Sequence, residues 1–284
     1  MNISLAMDNN LSAIPIQLIS QTNWNQYTIS LVLASLFTIF FLYTILKSYV
    51  HNPATLLLLL KFKRLTHKPT LLIRHNSAGL FFSSMITRDD TPKILKFLEK
   101  IKHQPFNLIL DTPGGDVFAT MQISKIFKNY PAQIDAYIPN YAMSGGTVLA
   151  LSCSKMHFNK HACLGMVDPQ IGSFFSYGSA SGWDEVLKLK KNKAEDTSII
   201  YRKLGKQVEE TIFKWLYGLV AGKCKQPEKF SRFLANGQRE HIYQVDSKML
   251  EKYGFKTTEI TRPENIILTK LLNQKTTETI FGVK

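Results

Sequence analysis

The sequence predicts an α/β domain built on a mainly parallel sheet and preceded by one transmembrane helix. Three observations predict it. Residues 27–46 form an uncharged apolar run. From Thr70 onward, short apolar strand-like runs alternate with stretches of helical spacing. Two glycine turns, 30 residues apart, each follow a strand and open a helix. Strands alternating with helices imply right-handed crossovers and parallel pairing.

The apolar run Tyr27–Leu46 reads YTISLVLASLFTIFFLYTIL, 20 residues without a charge. At a rise of about 1.5 Å per residue it spans the roughly 30 Å hydrocarbon layer. Trp24 and Tyr27 stand at one end and Tyr43, Lys47 and Tyr49 at the other, as interface residues do. A buried core helix or an uncleaved signal sequence is the competing reading. Residues 1–26 contain no Lys or Arg, which argues against a signal peptide. Before the run the only charge is Asp8; after it come Lys47, Lys61, Lys63, Arg64 and Lys68. The positive flank stays inside, so the large C-terminal domain is expected in the cytoplasm of a single-pass protein of the cell membrane. Five segments follow: a short N-terminal segment (1–26), the transmembrane helix (27–46), a basic connector (47–69), the α/β domain (70–260) and a C-terminal tail (261–284).

Composition narrows the class. A hydrophobic content of 45% and a charged content of 20% exclude a disordered, solvating chain. The net charge of +14 is spread along the chain. No helix-turn-helix, zinc finger or aromatic ribonucleoprotein motif accompanies it, so nucleic acid is not expected as a partner. An anionic lipid bilayer accounts for the charge instead. Cys153, Cys163 and Cys224 are odd in number and lack metal-ligand spacing, so neither a disulfide framework nor a metal site is expected.

Along the domain, Thr70–Ile73, Phe106–Leu110, Gln133–Ile138 and Lys155–Phe158 read as strands. Pro92–His103, Ala119–Asn129, Thr147–Ser152, Thr197–Val220 and Pro227–Ala235 carry helical stripes. The first glycine turn is Thr112-Pro113-Gly114-Gly115 and the second is Met143-Ser144-Gly145-Gly146. Glycine pairs let backbone N–H groups face a ligand without a Cβ in the way, and a helix start adds the positive end of its dipole. Two such turns side by side form an anion site, and for acyl transfer that site is an oxyanion hole. A serine at its mouth, Ser144, is placed to attack the carbonyl held there. Taken alone, Ser144 reads first as a helix N-cap and Gly114-Gly115 as a tight turn; the pair on consecutive crossovers is the more specific signal.

These motifs, Asp111-Thr112-Pro113-Gly114-Gly115, Tyr141–Thr147 (YAMSGGT) and Leu164–Gly172 (LGMVDPQIG), resemble the serine dehydrogenase proteinase family. That family is similar to signal peptide peptidase A within the Clp/crotonase superfamily. A weaker echo lies at Leu234–Tyr243 (LANGQREHIY), and the resemblance spans roughly Thr70–Phe255. It implies a fold of repeated ββα units, Ser144 as nucleophile, and the N–H groups of Gly115 and Gly145 as the oxyanion hole. It further implies a homo-oligomer acting on peptides or membrane-protein segments. Asp168 is read as holding the VDPQ loop.

The general base is expected to be a lysine, as in the signal peptide peptidase relatives. Lys188, Lys190, Lys191, Lys193 and Lys206 compete. Lys193 is chosen because it stands just before a helix, and the bland alternative is an exposed basic loop. His157 and His161 also follow the serine, without a motif. No pyridoxal-phosphate lysine motif or dinucleotide fingerprint is present, so no cofactor is expected. The expected activity is therefore that of a membrane-anchored Ser/Lys endopeptidase. A catalytically inactive membrane scaffold and a crotonase-like acyl-CoA enzyme are the alternatives.

Overall fold

The structure, a computed structural model, describes residues 27–41, 53–75, 85–173, 176–189, 196–274 and 280–284. The chain divides into two units, Met1–His51 and Asn52–Lys284. In the first, residues 27–41 form helix α1, with every side chain exposed. The expected span continues to Leu46, and residues 42–46 lie outside the described part. No described helix is long and apolar enough to cross a membrane.

The second unit begins with helix α2 (Pro53–Thr66) and strand β1 (Thr70–Arg74), followed by α3 (Asp90–Ile101), β2 (Phe106–Asp111) and α4 (Val117–Lys128). Next come β3 (Ile134–Ile138), β4 (Tyr141–Ala142), α5 (Gly145–Ser152), β5 (Lys155–Phe158), β6 (Cys163–Gly165), β7 (Ile171–Ser173) and β8 (Ser176–Gly178). The remainder is α6 (Ala180–Leu189), α7 (Asp196–Val220), α8 (Pro227–Ala235), β9 (Gln244–Asp246), α9 (Ser247–Lys252), β10 (Thr257–Glu259), α10 (Arg262–Leu272) and β11 (Ile280–Val283).

The main sheet has the order β10-β5-β3-β2-β1-β11. All its pairings are parallel except β1 with β11. A smaller sheet, β4-β6-β9, stands beside it. Alternation along each strand sends residues to opposite faces. Leu71, Ile73, Leu108, Leu110, Ile134 and Ala136 join the larger core with Ile94, Phe97, Ile123, Phe127 and Leu149. Leu72, Ile109 and Tyr137 face the other way, onto Leu59 and Phe62 of α2 and Leu268 and Leu271 of α10. The central strands are thus covered on both faces, which is why they read as continuous apolar runs.

Two expected boundaries shift. Residues 261–284, expected as a tail, carry α10 and the edge strand β11. Arg74 ties α10 down, donating from Nη1 to Leu271 O at 3.1 Å and Gln274 O at 2.8 Å. The connector 47–69 carries α2, whose buried Leu59 and Phe62 make it part of the folded unit.

Candidate active site

The ends of β2 and β4 bring the two glycine turns together. Thr112 N–H donates to Tyr141 O at 3.1 Å and Met143 N–H to Thr112 O at 2.9 Å. The second turn closes when Gly146 N–H donates to Met143 O at 2.7 Å. Within it Ser144 has φ 50° and ψ −114°. That is the first central position of a type II′ turn, which glycine normally fills. Holding a serine there costs about 1–3 kcal/mol, and such strain gathers where function demands it. Ser144 precedes α5 but makes no capping bond with its side chain. The residue lines a cavity of about 230 Å³.

The Pro-Gly-Gly turn abuts this serine. A Cβ placed on Gly114 (φ 107°) would stand 2.8 Å from Ser144 Cβ and 2.8 Å from Gly145 N. Ile86 braces the turn from the far side, with its N–H bonded to Gly114 O at 2.8 Å and its carbonyl accepting from Asp116 N–H at 2.9 Å. Its backbone approaches so closely that a Cβ on Gly115 would lie 2.3 Å from Ile86 O. Asp116 caps α4 by accepting from Ala119 N–H at 2.7 Å. Among the described residues, neither Gly115 N–H nor Gly145 N–H donates to a backbone carbonyl. Both glycines line the cavity with Ser144.

The cavity also holds a hydrogen-bonded His–Asp pair. Asp168 is 3% exposed and its Oδ1 stands 2.7 Å from Nδ1 of His241. Gln170 Nε2 donates to the other carboxylate oxygen at 2.5 Å. A carboxylate bonded to Nδ1 fixes the ring's orientation and leaves Nε2 for other work, the logic by which a base is aimed at a nucleophile. The remaining wall is mostly apolar, with Val117, Met121, Val148, Val167, Ile212 and Trp215, and includes Thr120.

Ser144, Gly115 and Gly145 therefore line one cavity. Lys193, Lys190 and Lys191 lie outside the described residues. Lys188 is exposed and pairs with Glu185 at 3.6 Å. Lys206 pairs with Asp184 at 3.3 Å. Neither is among the residues lining the Ser144 cavity. His157 stacks on Tyr137 at 4.4 Å between centroids, and burial pushes its pKa down. His161 is exposed. Sequence reasoning passed over His241 as a base. It lies in the LANGQREHIY echo, with a histidine before a tyrosine, and that echo was the one available signal.

A strand-to-helix serine turn packed against a second glycine turn and a His–Asp pair thus line one cavity. The chain belongs to the family described as ClpP-like SDH-type serine proteinase, whose model matches residues 23–279. It is 32% identical over 211 residues to the uncharacterized protein MJ0137 of Methanocaldococcus jannaschii, covering 72% of this chain and 73% of that protein. A second protein of the same organism, MJ1495, is 30% identical over 179 residues, covering 62% and 60%. Among solved structures, the chain aligns with the 1510-N membrane-bound stomatin-specific protease at 18% identity and TM-score 0.44, covering 68% of this chain and 82% of that one. It aligns with ClpP1 from Listeria monocytogenes at 18% identity and TM-score 0.44, covering 72% and 96%.

Proposed function

We propose that this chain is a membrane-anchored serine endopeptidase in which Ser144 attacks the peptide carbonyl and the N–H groups of Gly115 and Gly145 receive the oxyanion. The carrying observation is the meeting of the two glycine turns around a strained serine that does not cap its helix. His241 is the proposed general base. It takes the Ser144 proton as the Oγ–carbon bond forms and returns it to the leaving amine, while Asp168 holds the ring through Nδ1. In support, His241 lines the same cavity and is oriented by a buried carboxylate. The Ser/Lys pairing with Lys193 rests on the family resemblance alone, and is kept as the competing arm of the test.

Anchoring in the cell membrane, with Asn52–Lys284 in the cytoplasm, is part of the same proposal. Helix α1 exposes an apolar surface, and its Ser35 and Thr38 hydroxyls donate back to Leu31 O and Ala34 O at 2.7 Å each. Polar groups satisfied within the helix suit a lipid environment. A homo-oligomer is proposed from the family. The acyl-CoA alternative is less well supported, because the described cavity wall carries no Lys or Arg for phosphates.

The experiment is labelling of the full chain in membranes with a fluorophosphonate probe. Wild type is expected to label and Ser144→Ala not to. His241→Ala is expected to lose most of the rate and Lys193→Ala to keep it. The reverse pattern would reinstate the lysine, and an unlabelled wild type would end the peptidase reading. A C-terminal tag reachable by protease only from outside intact cells would overturn the orientation.

A further inference from the structure

Thr120, in the first turns of α4, has a hydroxyl with no partner. The residue is 3% exposed, and its Oγ1 is a buried polar atom without a hydrogen bond. A helical threonine ordinarily returns its hydroxyl to a carbonyl three or four residues back. Other helical side chains do so: Ser124 in the same helix bonds Met121 O at 3.0 Å, and Thr66 in α2 bonds Phe62 O at 2.9 Å. A buried hydroxyl left unpaired in an otherwise satisfied helix calls for an explanation, and a missing ligand is one.

The direction of the side chain supplies it. Thr120 lines the Ser144 cavity. A Cβ built on Gly145 would come within 2.5 Å of Thr120 Oγ1 and 3.4 Å of Gly115 N. The hydroxyl and the Gly115 amide thus border one small space against Gly145, whose own amide is the other proposed donor. Only glycine at 145 lets the Thr120 side chain approach this closely. The Trp215 indole, another donor on the cavity wall, is already committed to Ser124 Oγ at 2.8 Å.

We infer that the Thr120 hydroxyl is a third hydrogen-bond donor to the oxyanion, beside the N–H groups of Gly115 and Gly145. The inference rests on the serine peptidase reading above. As Ser144 Oγ bonds to the carbonyl carbon, the C=O π pair moves onto oxygen and the serine proton goes to the base. Thr120 donates a hydrogen bond to that oxygen and keeps its own proton. A hydroxyl that is unpaired in the resting enzyme and paired as charge develops favours the transition state over the free state, which is the condition for acceleration.

The test compares wild type, Thr120→Val and Thr120→Ser in the full chain, by casein hydrolysis and by the rate of fluorophosphonate labelling. Valine keeps the branched shape and removes the donor; serine restores the donor. Thr120→Val is expected to lower kcat roughly 10- to 100-fold with KM nearly unchanged, and to slow labelling in parallel. Thr120→Ser is expected to recover to within about 3-fold of wild type. Melting curves of each variant control for folding, and Thr120→Ala serves if valine unfolds the chain. A donor-free variant with wild-type kcat and labelling rate overturns the inference while leaving the peptidase reading intact. A change confined to KM does the same, and makes the hydroxyl a side-chain subsite. A wild type that neither labels nor cleaves sinks both.

Discussion

His75 Nδ1 and Thr112 Oγ1 stand 2.8 Å apart in the interior of the domain. The same Thr112 hydroxyl accepts from Gly114 N–H at 3.1 Å. On its other side the His75 ring faces Asp90, with Nε2 3.7 Å from Oδ2. A chain of polar contacts therefore runs from the start of α3 to the Pro-Gly-Gly turn. Thr112→Val removes the partner of a buried N–H, so a loss of about 1–2 kcal/mol is expected. His75→Phe keeps the ring volume and breaks the chain. Both variants are expected to slow Ser144 labelling more than they lower the melting temperature. An unchanged labelling rate in both would show that the turn holds itself.

Asp90 makes this network sensitive to acid. Burial alone would raise its carboxyl pKa, but the His75 ring 3.7 Å away, the Thr87 N–H at 2.8 Å and Lys93 at 3.3 Å together hold it below the usual value. A depressed carboxyl stabilises the fold above its unfolded pKa of about 3.9, and that contribution is lost as pH falls through the folded value. The melting temperature of Asp90→Asn should therefore lie below wild type above about pH 5. The gap should close as pH drops below about 4. A gap independent of pH would mean that the charge contributes nothing.

Ser144→Gly offers a test of stored strain. Glycine adopts φ 50° freely, so the variant should melt higher than wild type while losing activity. A gain of about 1 kcal/mol is expected, against little change for Ser144→Ala, which keeps the Cβ. Equal stability of the two variants would refute the strain.

Gly115 and Gly145 should respond differently to alanine. At Gly115 the new methyl meets the backbone of Ile86 at 2.3–2.4 Å, and backbone cannot step aside. At Gly145 it meets the tip of the Thr120 side chain at 2.5 Å, which can rotate. Gly115→Ala is expected to cost about 2–4 kcal/mol in denaturant unfolding, and Gly145→Ala about 1 kcal/mol or less. Both should be inactive, since each fills space beside the two amides.

The strands of the main sheet were legible because helices cover both faces, so their runs are uninterrupted. The glycine turns were legible because glycine marks backbone crowding, and Ile86 and Thr120 supply that crowding. The His241–Asp168 pair was not. The two residues lie 73 positions apart on loops, where no period relates them. A lysine-rich stretch drew attention because its density is visible in one dimension. Thr120 was invisible for a similar reason: a threonine one turn into a helix looks ordinary until its hydroxyl is seen to lack a partner. β11 was missed because four residues, Ile280–Val283, make too short a signal without their pairing to β1.

That late edge strand affects how the domain is made. β1 meets β2 early in synthesis, but its outer rim waits for residues about 200 positions downstream. Until they emerge, a row of unpaired amides and carbonyls is open to any neighbouring nascent chain. Chains stalled before Ile280 should accumulate as sticky, chaperone-bound intermediates, and clipping those few residues from the finished protein should leave a domain that associates edge to edge.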